Sequence, residues 1–161
     1  MDREPVEIRR VVERARAPFR ELYPERVYAM ELPHAGVFIT GHALRLEALF
    51  RHLLDNAIKY SFTDFTVRMA VTPLDGAVRI AVSDDGIGIP AGDLRRVQDA
   101  FRRSSNVRGH DAGGLGFGLY LSRRIAERHG ESIYLESREG RGTIVRVVLP
   151  PSLAPTDAQC L

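Results

Sequence analysis

Lysine is almost missing from this 161-residue chain: of its 23 basic residues, only Lys59 is not an arginine. Cysteine is equally scarce. Cys160 stands alone beside the C-terminus, so no disulfide can form within the chain. Such usage fits a reducing compartment. No apolar run approaches the ~18 residues of a membrane-spanning helix. The first 20 residues interleave charge with short apolar pieces, unlike a signal peptide. Net charge is nearly absent as well: a formal +2 leaves no electrostatic footprint for nucleic acid, despite a pI of about 9.0. Together these absences set the expectation of a soluble, cytoplasmic chain with no nucleic-acid partner and no membrane contact.

What is present is ordinary for a globular protein, with 44% hydrophobic and 27% charged residues, and the length suits one domain with a sizeable core. Residues 5–22 carry Ile8, Val11, Val12, Ala15 and Phe19 at helical spacing, with Pro5 acceptable in a first turn and Pro18 weakening the later part. Residues 27–32 and 36–40 read as two short strands in a hairpin-like pair. A long helix follows over 42–60, with apolar residues around most of its circumference, which marks it as largely buried. Strands are expected at 66–71 and 77–83 around a turn at 73–76, and a short helix at 91–100. A mobile loop comes next, then a helix at 117–129 and a last strand pair at 132–137 and 143–149. Residues 151–161 read as a flexible tail. Hairpins alternating with helices predict an α+β fold. We expect a two-layer α/β sandwich whose mixed, mostly antiparallel sheet is covered on one face by about three helices.

Two stretches need explaining. On the long helix, His52, Asn56 and Lys59 share one face at i, i+4 and i+7. That face either meets solvent or holds partners, because an unpaired buried polar group costs about 1–3 kcal/mol. Glycines 113, 114, 116 and 118 then crowd into six residues just before a helix. Such a run is either a flexible linker or a cradle for phosphate at a helix N-terminus. Two common nucleotide folds are disfavoured. The phosphate loop needs a Gly-Lys pair that this chain lacks, and the dinucleotide fingerprint fails on its third spacing.

Four strings nevertheless occur in a telling order: Leu53-Leu-Asp-Asn-Ala-Ile-Lys-Tyr-Ser61, Val82-Ser-Asp-Asp-Gly-Ile-Gly-Ile-Pro90, Gly114-Leu-Gly-Phe-Gly-Leu119, and Gly140-x-Gly142-Thr143. They resemble the ATP-binding domain shared by gyrase, the Hsp90 chaperones, MutL and histidine kinases. The likeness is nearest to the catalytic domain of bacterial sensor histidine kinases and covers about residues 5 to 150. The resemblance implies a Bergerat-type fold over 1–150 with a mobile ATP lid at about 99–114. It places the Asp84 carboxylate against the adenine amino group, where an acceptor-only side chain selects a donor. Gly86 and Gly88 would keep the next turn clear, and Ile89 and Thr143 would close the adenine pocket. Asn56 would ligate Mg²⁺, and Lys59 and Tyr60 would reach toward the phosphates. Gly114, Leu115, Gly116, Gly118 and Leu119 would wrap the triphosphate at the helix start. Arg103, in the lid, is the candidate for the γ-phosphate.

Departures matter too. His52 stands where hydrolysing relatives carry a catalytic Glu and most histidine kinases an Asn. It can act as a base at neutral pH or stand in for Asn as a hydrogen-bonding group. Gln98 replaces a lid Phe, and Glu131 a Gly. No His lies in a His-Glu-x-Arg type helix, so the resemblance implies a phosphoacceptor and dimerisation domain elsewhere, with a response regulator beyond it. Alternatives are a Ser kinase of the anti-sigma-factor type and a degenerate nucleotide-binding docking module.

Overall fold

The computed structural model describes residues 3–61, 64, 66–99, 118–128, 130 and 133–153, and the statements below concern those residues. The chain begins with β1 (Glu4–Glu7) and α1 (Ile8–Leu22), followed by β2 (Tyr28–Glu31), β3 (Phe38–Gly41) and α2 (Ala43–Tyr60). Next come β4 (Val67–Leu74), β5 (Ala77–Asp84) and two 3₁₀ turns at Ala91–Asp93 and Arg96–Gln98. The order closes with α3 (Gly118–Arg128), β6 (Ile133–Arg138), β7 (Gly142–Leu149) and β8 (Pro151–Ser152).

The main sheet has five strands in the order β2-β4-β5-β7-β6, antiparallel except for the β2–β4 pair. Alternation makes it one-sided. Val67, Met69 and Val71 of β4, Val78, Ile80 and Val82 of β5, and Val145, Val147 and Leu149 of β7 are buried on the same side as the helices. α2 is the central helix, packing on α1, α3, β4 and β5. Its Leu46, Leu49, Phe50 and Leu54 are fully buried, as the near-continuous apolar circumference predicts. The two-layer α+β sandwich with three helices is therefore as expected.

Four local expectations change. β2 and β3 do not form a hairpin: β2 runs parallel to β4, with Val67 N–H on the Val27 carbonyl at 3.0 Å, whereas β3 joins a separate three-stranded sheet, β1-β3-β8. The short spacing between them looks local, but each strand's partner lies at a distance that spacing cannot reveal. Pro5 lies in β1 opposite Thr40 rather than in a helix, and it is tolerated because β1 is an edge strand. The helix expected at 91–100 is two single 3₁₀ turns; Gly92 and the Asp93 N–H bond to the Pro90 carbonyl (2.9 Å) break any longer run. Finally, residues 151 and 152 belong to the fold rather than to a tail, since β8 pairs with β3.

Phe50, in the core cluster on α2, has none of its surface exposed. Phe50→Ala is expected to cost about 3–5 kcal/mol, and Leu22→Ala, at a position 68% exposed, about 0.5 kcal/mol or less, read by urea denaturation.

Candidate functional site

The inward line of β5, Val78, Ile80 and Val82, continues to Asp84, so a carboxylate occupies the last core-facing position of the strand, only 8% exposed. Its Oδ1 accepts the Gly86 N–H at 2.9 Å, and the backbone of Thr143, its register partner on β7, also hydrogen-bonds the side chain. Burial outweighs these contacts. Desolvation pushes the Asp84 pKa up to about 6, with the neighbouring Asp85 adding to the rise, while the Gly86 and Thr143 hydrogen bonds and the Arg26 charge oppose it.

The segment after β5 is tied down on two sides. Toward α2, the Ile87 N–H donates to the Tyr60 carbonyl at 3.0 Å. Toward the β6–β7 turn, the Gly140 N–H donates to the Ile87 carbonyl (2.7 Å) and the Ile89 N–H to Ser137 Oγ (2.8 Å). Glycines are required here first by the chain's own backbone. A Cβ on Gly86 would overlap the Tyr60 carbonyl oxygen and approach Asp84 Oδ1 and Ser61 Cα at 2.7 Å. Gly88 and Gly142 have φ of 66° and 95°, and a Cβ there would strike the Arg138 and Asp84 carbonyl oxygens respectively.

Ser137 was not singled out by sequence reasoning, yet it joins these pieces. Its hydroxyl donates to the Gly142 carbonyl at 2.9 Å and accepts from Ile89, and Thr143 Oγ1 lies at 2.8 Å. With its one proton committed to Gly142, the Thr143 hydroxyl is the donor of that pair.

On α2, His52, Asn56, Lys59 and Tyr60 are all half-buried along the last turns. Desolvation lowers the His52 pKa from its ordinary 6.5, so the imidazole is neutral at pH 7. The Lys59 ammonium sits on Asp55 at 2.6 Å. These contacts bring together Tyr60, Asp84, Gly86, Gly88, Ile89 and Thr143, and His52, Asn56 and Lys59 occupy the helix that delivers Tyr60. Gly118 and Leu119 open α3. Arg103, Gly114, Leu115 and Gly116, with most of the expected lid, lie outside the described residues.

Two arginine-linked partners were also missed. Arg26 reaches Ser61 Oγ at 2.5 Å, yet nothing in the sequence distinguishes it from the chain's other arginines. Arg68 holds Asp85, next to Asp84, at 3.0 Å.

The glycine contacts separate conformational strain from collision. Gly76 has φ 70° with open space around it, so Gly76→Ala is expected to cost about 1 kcal/mol. Gly142→Ala adds a backbone overlap to its strained φ and is expected to cost clearly more, roughly 3 kcal/mol, in denaturant titrations of the two variants.

Comparison with known proteins follows the same residues. The family described as histidine kinase-, DNA gyrase B-, and HSP90-like ATPase matches residues 41–153. The sensor protein kinase WalK of Staphylococcus aureus is 32% identical over 128 residues, which cover 78% of this chain and 31% of that protein. The chain therefore spans less than a third of that relative. Among solved structures, a mycobacterial sensor histidine kinase, MprB, superposes with a TM-score of 0.82 at 23% identity, over 94% of this chain and 99% of its own. The ATP-binding domain of PrrB from Mycobacterium tuberculosis gives 0.74 at 25% identity, over 95% and 100%. With more than half of its length matched, the chain belongs to the histidine kinase-, DNA gyrase B- and HSP90-like ATPase family.

Proposed function

We propose that this chain is the ATP-binding catalytic module of a sensor histidine kinase, acting from the cytoplasm on a histidine of a separate phosphoacceptor and dimerisation domain that in turn serves a response regulator. The observation that carries the proposal is Asp84: a buried carboxylate, held by backbone donors, beside the end of a helix bearing Asn56, Lys59 and Tyr60. The catalytic domain takes in residues 1–150, extended by β8 to 152, with its lid at about 99–114, and among the described residues no helix is long and apolar enough to cross a membrane.

In this reading the ionised Asp84 accepts from the adenine amino group, and Ile89 and Thr143 flank the base. Ser137 fixes both flanking residues through one hydroxyl. Asn56, Lys59 and Tyr60 face the phosphates from α2, and Gly114, Leu115, Gly116, Gly118 and Leu119 line them from the lid side, with Arg103 at the γ-phosphate. For Lys59 to engage phosphate it exchanges or shares its Asp55 partner, a step open to a pair that is about a third exposed on each side.

A bound Mg²⁺ fits the donor set present. No group of three or more His, Cys, Asp or Glu gathers as a metal cage among the described residues. One neutral amide oxygen, from Asn56, suits an ion otherwise held by phosphate oxygens and water. When bound, Mg-ATP supplies the phosphoryl group and the metal offsets its charge; this chain contributes position and electrostatics. His52 is no carboxylate, so the position four residues before Asn56 lacks the glutamate base of the hydrolysing relatives, as suits transfer rather than hydrolysis.

Calorimetric titration with ADP and a non-hydrolysable ATP analogue, with and without Mg²⁺, tests the proposal. Binding is expected at neutral pH, and Asp84→Asn is expected to weaken it about 10- to 100-fold, the value of a hydrogen bond to a charged acceptor. The sign with pH follows from the raised pKa. Affinity is flat well above pH 6 and falls by up to about tenfold per unit below it, as Asp84 takes up the proton that blocks acceptance. No binding, or binding indifferent to Asp84→Asn, would overturn the site.

A further inference from the structure

Arg26 lies in the turn between α1 and β2, far from Asp84 in sequence, yet its guanidinium makes three hydrogen bonds at the end of α2. Nη1 donates to Ser61 Oγ at 2.5 Å, and Nη2 donates to the Ile58 carbonyl at 3.1 Å and the Ser61 carbonyl at 3.2 Å. α2 ends at Tyr60, so these carbonyls are among those that a helix leaves without intrahelical donors. A cation is also the favoured charge at that end of the helix. Two nitrogens of one planar fork engage it at once, a geometry that lysine cannot reproduce.

The next layer of contacts leads to Asp84. Ser61 Cα and the Tyr60 carbonyl press against Gly86, leaving no room for a Cβ, and Tyr60 accepts the Ile87 N–H at 3.0 Å. Gly86 in turn donates to Asp84 Oδ1 at 2.9 Å. Any movement of the helix end would therefore shift the donor that orients the carboxylate. We propose that Arg26 is a positioning residue for the adenine site: its guanidinium braces the end of α2 against the Gly86 turn and holds Asp84 ready as an acceptor. The inference rests on the reading of Asp84 as the adenine acceptor.

Electrostatics point the same way. Among the described residues, the charged groups acting on Asp84 are Asp85, which raises its pKa, and Arg26, which lowers it; β7 offers the uncharged Thr143 opposite, and Asp85 is itself held by Arg68. The lysine on α2 is engaged with Asp55. Arg26 therefore has both a mechanical and an electrostatic route to the carboxylate, and the two separate by substitution.

The experiment is ADP titration in the presence of Mg²⁺ from pH 5 to 8, using the wild type, Arg26→Gln and Arg26→Lys. The wild type is expected to show a binding midpoint close to 6. Arg26→Gln, lacking both fork and charge, is expected to bind about tenfold more weakly at pH 8 and to move that midpoint upward. Arg26→Lys, keeping the charge, is expected to restore the midpoint while recovering only part of the affinity. An Arg26→Gln variant with wild-type affinity, or with a uniform loss and an unmoved midpoint, overturns the inference. Should Arg26→Gln fail to fold, Arg26→Lys decides alone: reduced affinity at the wild-type midpoint supports the inference and unchanged affinity overturns it. A wild type that binds no ADP overturns the adenine-site reading and this inference with it, whereas a wild type that binds normally isolates Arg26.

Discussion

A carboxylate at the inner end of an apolar strand has left water behind and must be held by something else. In β5 that carboxylate is Asp84, following Val78, Ile80 and Val82 on the core-facing side. Two backbone hydrogen bonds and a nearby arginine supply part of what water would give, and burial still raises the pKa to about 6. Between 3.8 and about 6 the folded chain keeps a proton that the unfolded chain releases, so the fold loses stability as the pH rises through that window. In the proposed function, an exocyclic amino group donating to Asp84 replaces more of the hydration that burial removed.

The surrounding structure is arranged to keep that acceptor in place. Gly86 is compressed between Asp84 and the end of α2, Gly142 against the Asp84 carbonyl, and Gly88 against Arg138. Each is a close approach between backbone segments, so the turn after β5 is locked to both the central helix and the β6–β7 pair. Ser137 adds a three-way hydroxyl contact to Ile89, Gly142 and Thr143. The described part of the candidate site thus derives its geometry from the core packing of α2, which rests on helices and sheet and whose Phe50, Leu49 and Leu54 are fully buried.

Much of this was legible in the residues. The apolar circumference of 42–60 foretold a buried central helix, and period-two alternation foretold β4, β5, β6 and β7 to within a few residues. What local pattern could not show was pairing. β2 and β3 are close in sequence but lie in different sheets, because β2's partner, β4, comes only after α2. The site divides in the same way. Asp84, its glycines and the polar face of α2 carry recognisable spacing, whereas Ser137 and Arg26 act through contacts between distant segments, and a single serine or one arginine among many has no period to betray it. The swap of expected helix for 3₁₀ turns at 91–98 follows from Gly92 and the Pro90 carbonyl, which are short-range effects that propensity alone underweights.

At the centre of the proposed function is Asp84 as the buried acceptor of the adenine amino group. Carbon-detected NMR titration of the Asp84 side-chain carboxyl, in the free chain and saturated with ADP, tests it most directly. The account predicts a midpoint near 6 in the free chain and a clear fall on adding ADP. A midpoint at the ordinary 3.8, or one that ADP leaves unmoved, would contradict it.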